Sequence, residues 1–438
     1  MEVSGYKGKA YSLLKDKGVT VGSSVIVKTR GQEYKGIIMP RYELADDTHI
    51  VIKLNNGYNI GISIENILDI VSIDEVAEDI LDEQKTIAKS SRGVSNGAHI
   101  ALISTGGTIA SKIDYRTGGV RAALTAEELH RMVPELGDIA SIDSYVLFQE
   151  YSENITCKHW SMMAENVKDM IAQGYDGIII AHGTDTMHYT SAALSFALQN
   201  LPVPVVLVGS QRSSDRPSSD AALNLIGATL FVSQADAAGV FIAMHATNSD
   251  DKIAVHIGTR VRKNHTSSRD AFKSIDINPI AIVDVNSRSI NINNNSSIVV
   301  SKRDKKRTPY VKSRFDERVA LIKFYPNFDP GIIDHLVAKG YRGLIIEGTG
   351  LGHVSKYCFD SLRNAIEHNM LVYMTSQCIW GRLRMTVYDT GRDLLSIGVK
   401  PLNMLSEVAY AKLSWALANF SLDEAKEVML KDIAMEFK

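Results

Sequence analysis

Two short, wholly apolar runs each give way at once to a turn built from glycine and threonine, and that pattern confines the chain to very few folds. His99-Ile100-Ala101-Leu102-Ile103 leads into Ser104-Thr105-Gly106-Gly107-Thr108-Ile109-Ala110-Ser111, and Gly177-Ile178-Ile179-Ile180 leads into Ala181-His182-Gly183-Thr184-Asp185-Thr186-Met187. An apolar run with no polar alternation describes a strand covered on both faces, as central strands of parallel sheets are. Behind the turns, the stretches from Thr125 and from Tyr189 open helical patterns, and strand-like segments at Tyr145–Phe148, Val205–Val208 and Gly239–Ala243 alternate with helical ones to about Val285. Repeated βα units predict an α/β domain with a doubly wound parallel sheet. Such sheets take small ligands beyond the carboxyl ends of their strands, where unpaired backbone N–H groups hold polarised oxygens.

The chain ahead of His99 has a different texture. Ser24–Lys28, Tyr34–Met39 and His49–Leu54 are short and rich in β-branched residues, and Asn55-Asn56-Gly57-Tyr58 supplies an Asn-Gly hairpin turn. They predict a small antiparallel β-barrel over residues 1–75. An acidic and then polar stretch over 76–97 reads as a linker. The larger α/β domain is expected over 98–290. A connector, 291–318, carries the Asn-Ser cluster after Asn291 and the basic run Lys302-Arg303-Asp304-Lys305-Lys306-Arg307. Further apolar runs at Val319, Gly343 and Leu371 predict a second, smaller α/β domain over 319–438, closed by a helical stretch from about Asn403 to Met435.

At 438 residues the chain is long enough for several ordinary cores. Its net charge of −2 demands neither nucleic acid nor an anionic membrane. No apolar run approaches the roughly 18 residues of a membrane span. Three cysteines, Cys157, Cys358 and Cys378, form no CxxC pair, and no secretory leader pattern follows Met1, so a cytoplasmic protein without disulfides is expected.

The chemistry in this pattern is that of hydroxyls. A threonine attacks only when a base takes its proton and donors stabilise the oxyanion that results. Thr108 follows two glycines that let backbone approach a ligand; Thr184-Asp185 adds a second hydroxyl and a carboxylate able to hold an ammonium group. The candidate base is Lys263 in Gly258-Thr259-Arg260-Val261-Arg262-Lys263-Asn264-His265-Thr266, provided its amine is partly buried; otherwise it is one more solvated cation beside Arg260, Arg262 and Arg269. His182 and His188 flank Thr184, but their spacing does not suit a helical ligand pair and no third ligand stands near, so no metal is expected. Gly348-Thr349-Gly350-Leu351-Gly352 lacks the glycine spacing of a dinucleotide loop.

The two turns and the distal Arg-Val-Arg-Lys-Asn-His-Thr segment, in this order, resemble the L-asparaginase/glutaminase family over residues 98–438. That resemblance implies an asparaginase-like two-domain body and a dimeric active site. It implies catalytic roles for Thr108, Tyr115, Thr184, Asp185 and Lys263, and substrate binding by Ser152, Glu153 and Asp185, with N–H groups around Gly107 or Thr184 as the oxyanion hole. The segments around Tyr34–Arg41, Asp46–Leu54 and Asn56–Ile62 resemble the front barrel of archaeal glutamyl-tRNA(Gln) amidotransferase D subunits. This implies release of ammonia from glutamine, or asparagine, for a partner E subunit of the amidotransferase that uses ATP and Mg to convert Glu-tRNA(Gln) and itself makes the main tRNA contacts. No cofactor is implied for this chain, and a homodimeric core is. A free-standing asparaginase and a non-catalytic tRNA or protein scaffold are the competing expectations.

Overall fold

The computed structural model describes residues 6–39, 41, 46–54, 59–73, 97–107, 111–113, 120–122, 133–212, 219–293 and 298–438. The amino-terminal part opens with helix α1 (Gly8–Asp16), followed by strands β1 (Ser24–Thr29), β2 (Glu33–Ile38), β3 (His49–Leu54), β4 (Asn59–Ser63) and β5 (Ile67–Ser72). They form a five-stranded antiparallel sheet in the order β4-β3-β2-β1-β5. Val25 and Val27 of β1 alternate inward and meet Ile38, Ile50, Ile52, Ile62 and Ile70. Helix α1, which the strand pattern gave no reason to expect, adds Ala10 and Leu14, four residues apart on one face, to the same core. The Asn-Gly turn lies outside the described residues, although β3 and β4 pair antiparallel on either side of it.

The larger domain is built on strands β6 (His99–Gly106), β7 (Ser141–Glu150), β8 (Gly177–Ala181), β9 (Pro204–Val208), β10 (Gly239–His245), β11 (Lys252–Ile257), a hairpin of β12 (Val261–Lys263) with β13 (Phe272–Ser274), then β14 (Ala281–Asp284) and β15 (Ser289–Ile292). Its eight-stranded sheet runs β15-β14-β11-β10-β9-β8-β6-β7. From β7 to β10 the strands are parallel, and the last three are antiparallel additions.

Every residue of β8 and β9 is buried, because both faces are covered. Ile178 and Ile180 point into a core with helices α2 (Cys157–Ala172) and α3 (Met187–Ala197), while Ile179 and Ala181 face helix α4 (Ala221–Gln234) on the other side. Being parallel, β6, β8 and β9 present their carboxyl ends along one edge.

The smaller domain is a four-stranded parallel sheet, β16 (Val319–Lys323), β17 (Gly343–Gly348), β18 (Leu371–Ser376) and β19 (Lys400–Pro401). Helices α5 (Gly331–Ala338), α6 (Phe359–Glu367) and α7 (Asp389–Ile397) accompany one core. Helix α8 (Ser406–Asn419) packs its Val408, Leu413 and Trp415 into the core shared with α2 and α3. The helical stretch expected from about Asn403 to Met435 consists of two helices, α8 and α9 (Leu422–Leu430). Ser421 breaks it: its hydroxyl accepts from the Glu424 amide at 3.4 Å while its own amide donates to Glu424 Oε2 at 2.9 Å.

The basic run of the connector is a staple. The Arg303 guanidinium donates to the carbonyls of Asp176, Val232 and Ala235, the last two at the carboxyl end of α4, where a cation offsets the helix dipole. Lys305 pairs with Asp176, and Arg307 donates to the Lys302 carbonyl at 2.9 Å.

Candidate functional site

Strand β8 ends at Ala181, and the chain turns through His182–Thr186 before entering α3 at Met187. Hydrogen bonds from three directions hold this turn. Thr105 Oγ1 of β6 donates to the Ala181 carbonyl at 2.8 Å, the His182 amide donates to the Val208 carbonyl of β9 at 2.9 Å, and Thr186 Oγ1 donates to the Ser152 carbonyl at 2.7 Å.

His182 is fully buried and structural. Because the Gly183 carbonyl only accepts, Nδ1 carries the proton and donates to it at 2.7 Å; Nε2 then accepts from Thr190 Oγ1 at 3.0 Å, which in turn accepts from Trp160 Nε1 at 3.0 Å. Burial pushes the ring down to about 4. His188, also buried, is pushed down to about 3, first by burial and then by the nearby Arg262 and Lys263 charges. Both nitrogens of His182 are therefore spoken for. Among the described residues no group of three or more His, Cys, Asp or Glu could hold a metal ion.

The first turn stands directly against the second. Gly107, at φ +77°, is so close that a Cβ there would lie 2.3 Å from the Gly183 amide nitrogen, and only glycine allows the approach. Thr108 and Tyr115 lie outside the described residues, and Gly107 fixes where the chain stands one residue before Thr108. Gly183 also touches Ser152, since a Cβ on Gly183 would lie 2.8 Å from Ser152 Cβ. Ser152 is buried in the short turn Ser152–Asn154 that follows β7, and Glu153 is exposed on the same turn. Gly107, Gly183 and Ser152 thus meet at the carboxyl edge.

Lys263 arrives from a different part of the chain, at the end of β12, paired with Phe272 of β13. Its amine donates to Thr184 Oγ1 at 2.8 Å and to Asp185 Oδ1 at 2.6 Å. The Lys263 side chain is 9% exposed and that of Asp185 70%, so the amine sits beneath the turn while the carboxylate opens to solvent. The neighbouring arginines are not solvated cations either. Arg260 is buried and donates to the carbonyls of Phe437 at 2.6 Å and Ile275 at 3.1 Å, Arg262 Nε binds Glu407 Oε1 at 2.7 Å, and Arg269 pairs with Asp250.

Of the residues singled out in the sequence, Gly107, Ser152, Thr184, Asp185 and Lys263 converge on this edge, with Glu153 beside them. Trp160, Thr186 and Thr190, which hold the turn together with His182, were not singled out. Their signal was weak: polar groups on a helix or turn, whose partners lie on other elements.

Comparison with known proteins gives consistent matches. Residues 99–297 match the family model described as asparaginase, N-terminal, residues 318–429 the glutaminase/asparaginase C-terminal domain, and residues 19–73 the GatD N-terminal domain. The chain is 45% identical over 445 residues to the D subunit of the glutamyl-tRNA(Gln) amidotransferase of Methanopyrus kandleri, covering 100% of this chain and 95% of that one. It is 47% identical over 433 residues to the corresponding D subunit of Pyrococcus furiosus, covering 97% and 96%. Among solved structures, the thermostable L-asparaginase from Thermococcus kodakarensis superposes with a TM-score of 0.68 at 29% identity, over 78% of this chain and 99% of that one. L-asparaginase I from Vibrio cholerae superposes with a TM-score of 0.67 at 26% identity, over 78% and 100%.

Proposed function

The chain belongs to the family of glutamyl-tRNA(Gln) amidotransferase D subunits, with an asparaginase-type amidohydrolase body, and from that premise we propose that it releases ammonia from the side-chain amide of glutamine by threonine chemistry. A hydroxyl oxygen adds to the amide carbon, the C–N bond breaks as ammonia departs with a proton, and water then splits the resulting ester to give glutamate and the free hydroxyl. Thr108 is the nucleophile in this reading, with Tyr115 polarising its hydroxyl. Thr184 and Lys263 form the second group. In its neutral form the Lys263 amine takes a proton from Thr184, or through it from the attacking water. Asp185, open to solvent, and Glu153 hold the substrate ammonium, Ser152 its α-carboxylate, and N–H groups about Gly107 and Thr184 receive the oxyanion.

The observation that carries this reading is the Lys263 amine standing 2.8 Å from Thr184 Oγ1 with Asp185 beside it. A surface lysine has no reason to be buried beneath a threonine. The ammonia then passes to the partner E subunit of the amidotransferase, which spends ATP with Mg to activate the glutamyl group on tRNA and makes the principal tRNA contacts. A homodimeric core completes the assembly. Three free cysteines, two of them buried, suit a cytoplasmic setting. No helix among the described residues is long and apolar enough to cross a membrane.

Ammonia release measured with glutamine and with asparagine, each with and without the partner and glutamyl-tRNA, tests the proposal. Stimulation of glutamine hydrolysis by both additions is the expected result. Asparagine hydrolysis indifferent to either would identify a free-standing asparaginase, and no hydrolysis under any condition a scaffold.

A further inference from the structure

The stretch that delivers Lys263 is fixed almost residue by residue, by the neighbouring strand β13 and by groups from the far end of the chain. Thr259 Oγ1 donates to the Ala434 carbonyl at 2.7 Å, Arg260 donates to the Phe437 carbonyl at 2.6 Å, and the Arg262 guanidinium forms an ion pair with Glu407, Nε to Oε1 at 2.7 Å, with the Val261 side chain buried. The targets of Lys263 itself, Thr184 and Asp185, belong to the larger domain. One short strand therefore spans from the hydroxyl-bearing turn to the elements after residue 400.

Glu407 is the strongest of these fixings. It is the second residue of α8 and 4% exposed. Burial holds its carboxyl above the usual carboxylate range, and the nearby Arg262 charge offsets only part of that. His188 stands 3.9 Å from the same oxygen, and its neutral ring adds no counter-charge, so Arg262 is the cation bonded to Glu407. A buried carboxylate with one bonded cation holds it tightly, because losing it would leave the charge uncompensated. Arg262 and Lys263 share a peptide bond, so where Glu407 holds one it constrains the other.

We propose that Glu407 is a positioning residue for amide hydrolysis, acting through Arg262 to set the Lys263 amine beneath Thr184. It makes no contact with the amine. The inference rests on the reading that Lys263 serves Thr184 in the reaction. Misplacing a reacting group by about 1 Å costs roughly 10²-fold in rate, so the effect falls on turnover rather than on substrate capture.

The test uses the full chain with its partner, and glutamine as substrate. Glu407→Leu, which removes the acceptor, lowers kcat by roughly 10²-fold and leaves KM within about twofold. Glu407→Gln, which keeps an oxygen facing Arg262, recovers most of that loss. The double variant Arg262→Met/Glu407→Leu buries no lone charge, and its kcat is no lower than that of the worse single variant. If Glu407→Leu fails to fold, that double variant carries the test. Wild-type kcat in either folded variant lacking the acceptor, or losses that simply multiply in the double, overturns the proposal. Lys263→Ala, assayed alongside, separates the two levels: full activity there removes the role of Lys263, whereas an inactive Lys263→Ala beside a fully active Glu407→Leu removes only that of Glu407.

Discussion

The amine of Lys263 meets the hydroxyl of Thr184 at 2.8 Å although 79 positions separate them in sequence. An ammonium could occupy that place merely to balance Asp185, so the decisive comparison is between losing the amine and replacing it by a group that holds its proton. Lys263→Ala is expected to lower kcat by roughly 10²–10⁴-fold, the usual worth of a general acid or base. Lys263→Arg retains the charge and does not restore turnover, because a guanidinium stays protonated. An arginine variant with wild-type kcat would reduce Lys263 to an electrostatic partner of Asp185.

The hydroxyls are tested separately. Thr184→Val and Thr108→Val each keep side-chain shape and remove the reactive oxygen, and each is expected to abolish detectable ammonia release. Far-UV circular dichroism and binding of the partner stay unchanged, since Thr184 packs its methyl against the backbone near Gly209 and valine can do the same. Wild-type turnover in either variant removes that threonine from the mechanism.

Stability should fall as the solution is acidified, and buried histidine is one cause. Burial pushes His256 down to about 3, so between that value and the ordinary 6.5 the unfolded chain binds a proton that the folded chain does not. The stability is fully present above 6.5 and drains away below it, by about 2 kcal/mol per such histidine at pH 5. His256→Gln keeps a partner for Ser274, which the ring now meets at 2.8 Å, and removes the titrating ring. Urea unfolding at pH 7.5 and 5 should show a loss about 2 kcal/mol smaller in the variant than in the wild type. Equal losses would mean that His256 is not buried as a neutral ring.

Lys412 and Glu436 form an ion pair with both side chains fully buried, and Glu436 also accepts from the amides of Ile433 and Ala434. Lys412→Met strands the carboxylate and should cost about 3–5 kcal/mol in urea unfolding. Adding Glu436→Gln, which keeps an acceptor for those amides, should return most of it. A double variant as unstable as the single would show that the lysine acts through packing on Phe196 and Phe437 rather than through charge.

Much of the body was legible because its strands are apolar without interruption and its turns are marked by glycine. Local spacing is enough for that. The site was legible only in pieces: the turns and the Lys263 segment could each be seen, but their convergence depends on β12 folding across the edge of the sheet, which no local pattern encodes. Glu407 was invisible for the same reason, a charged residue in the first turn of a helix, with its partner far back in the chain. Helix α1 is short and faintly amphipathic. The break between α8 and α9 differs, since Ser421-Leu422-Asp423-Glu424 carries a helix-start signature in plain sequence.

The contact of Gly107 with Gly183 makes this part of the sheet's carboxyl edge out of main chain. Exchange of residues there cannot enlarge or repaint it, because any side chain at Gly107 would push the two turns apart. In the proposed reaction, a preference between amides that differ by one methylene therefore rests on what borders that seam, Ser152 among it. Selection for a new donor would have to work on those borders and leave the seam alone.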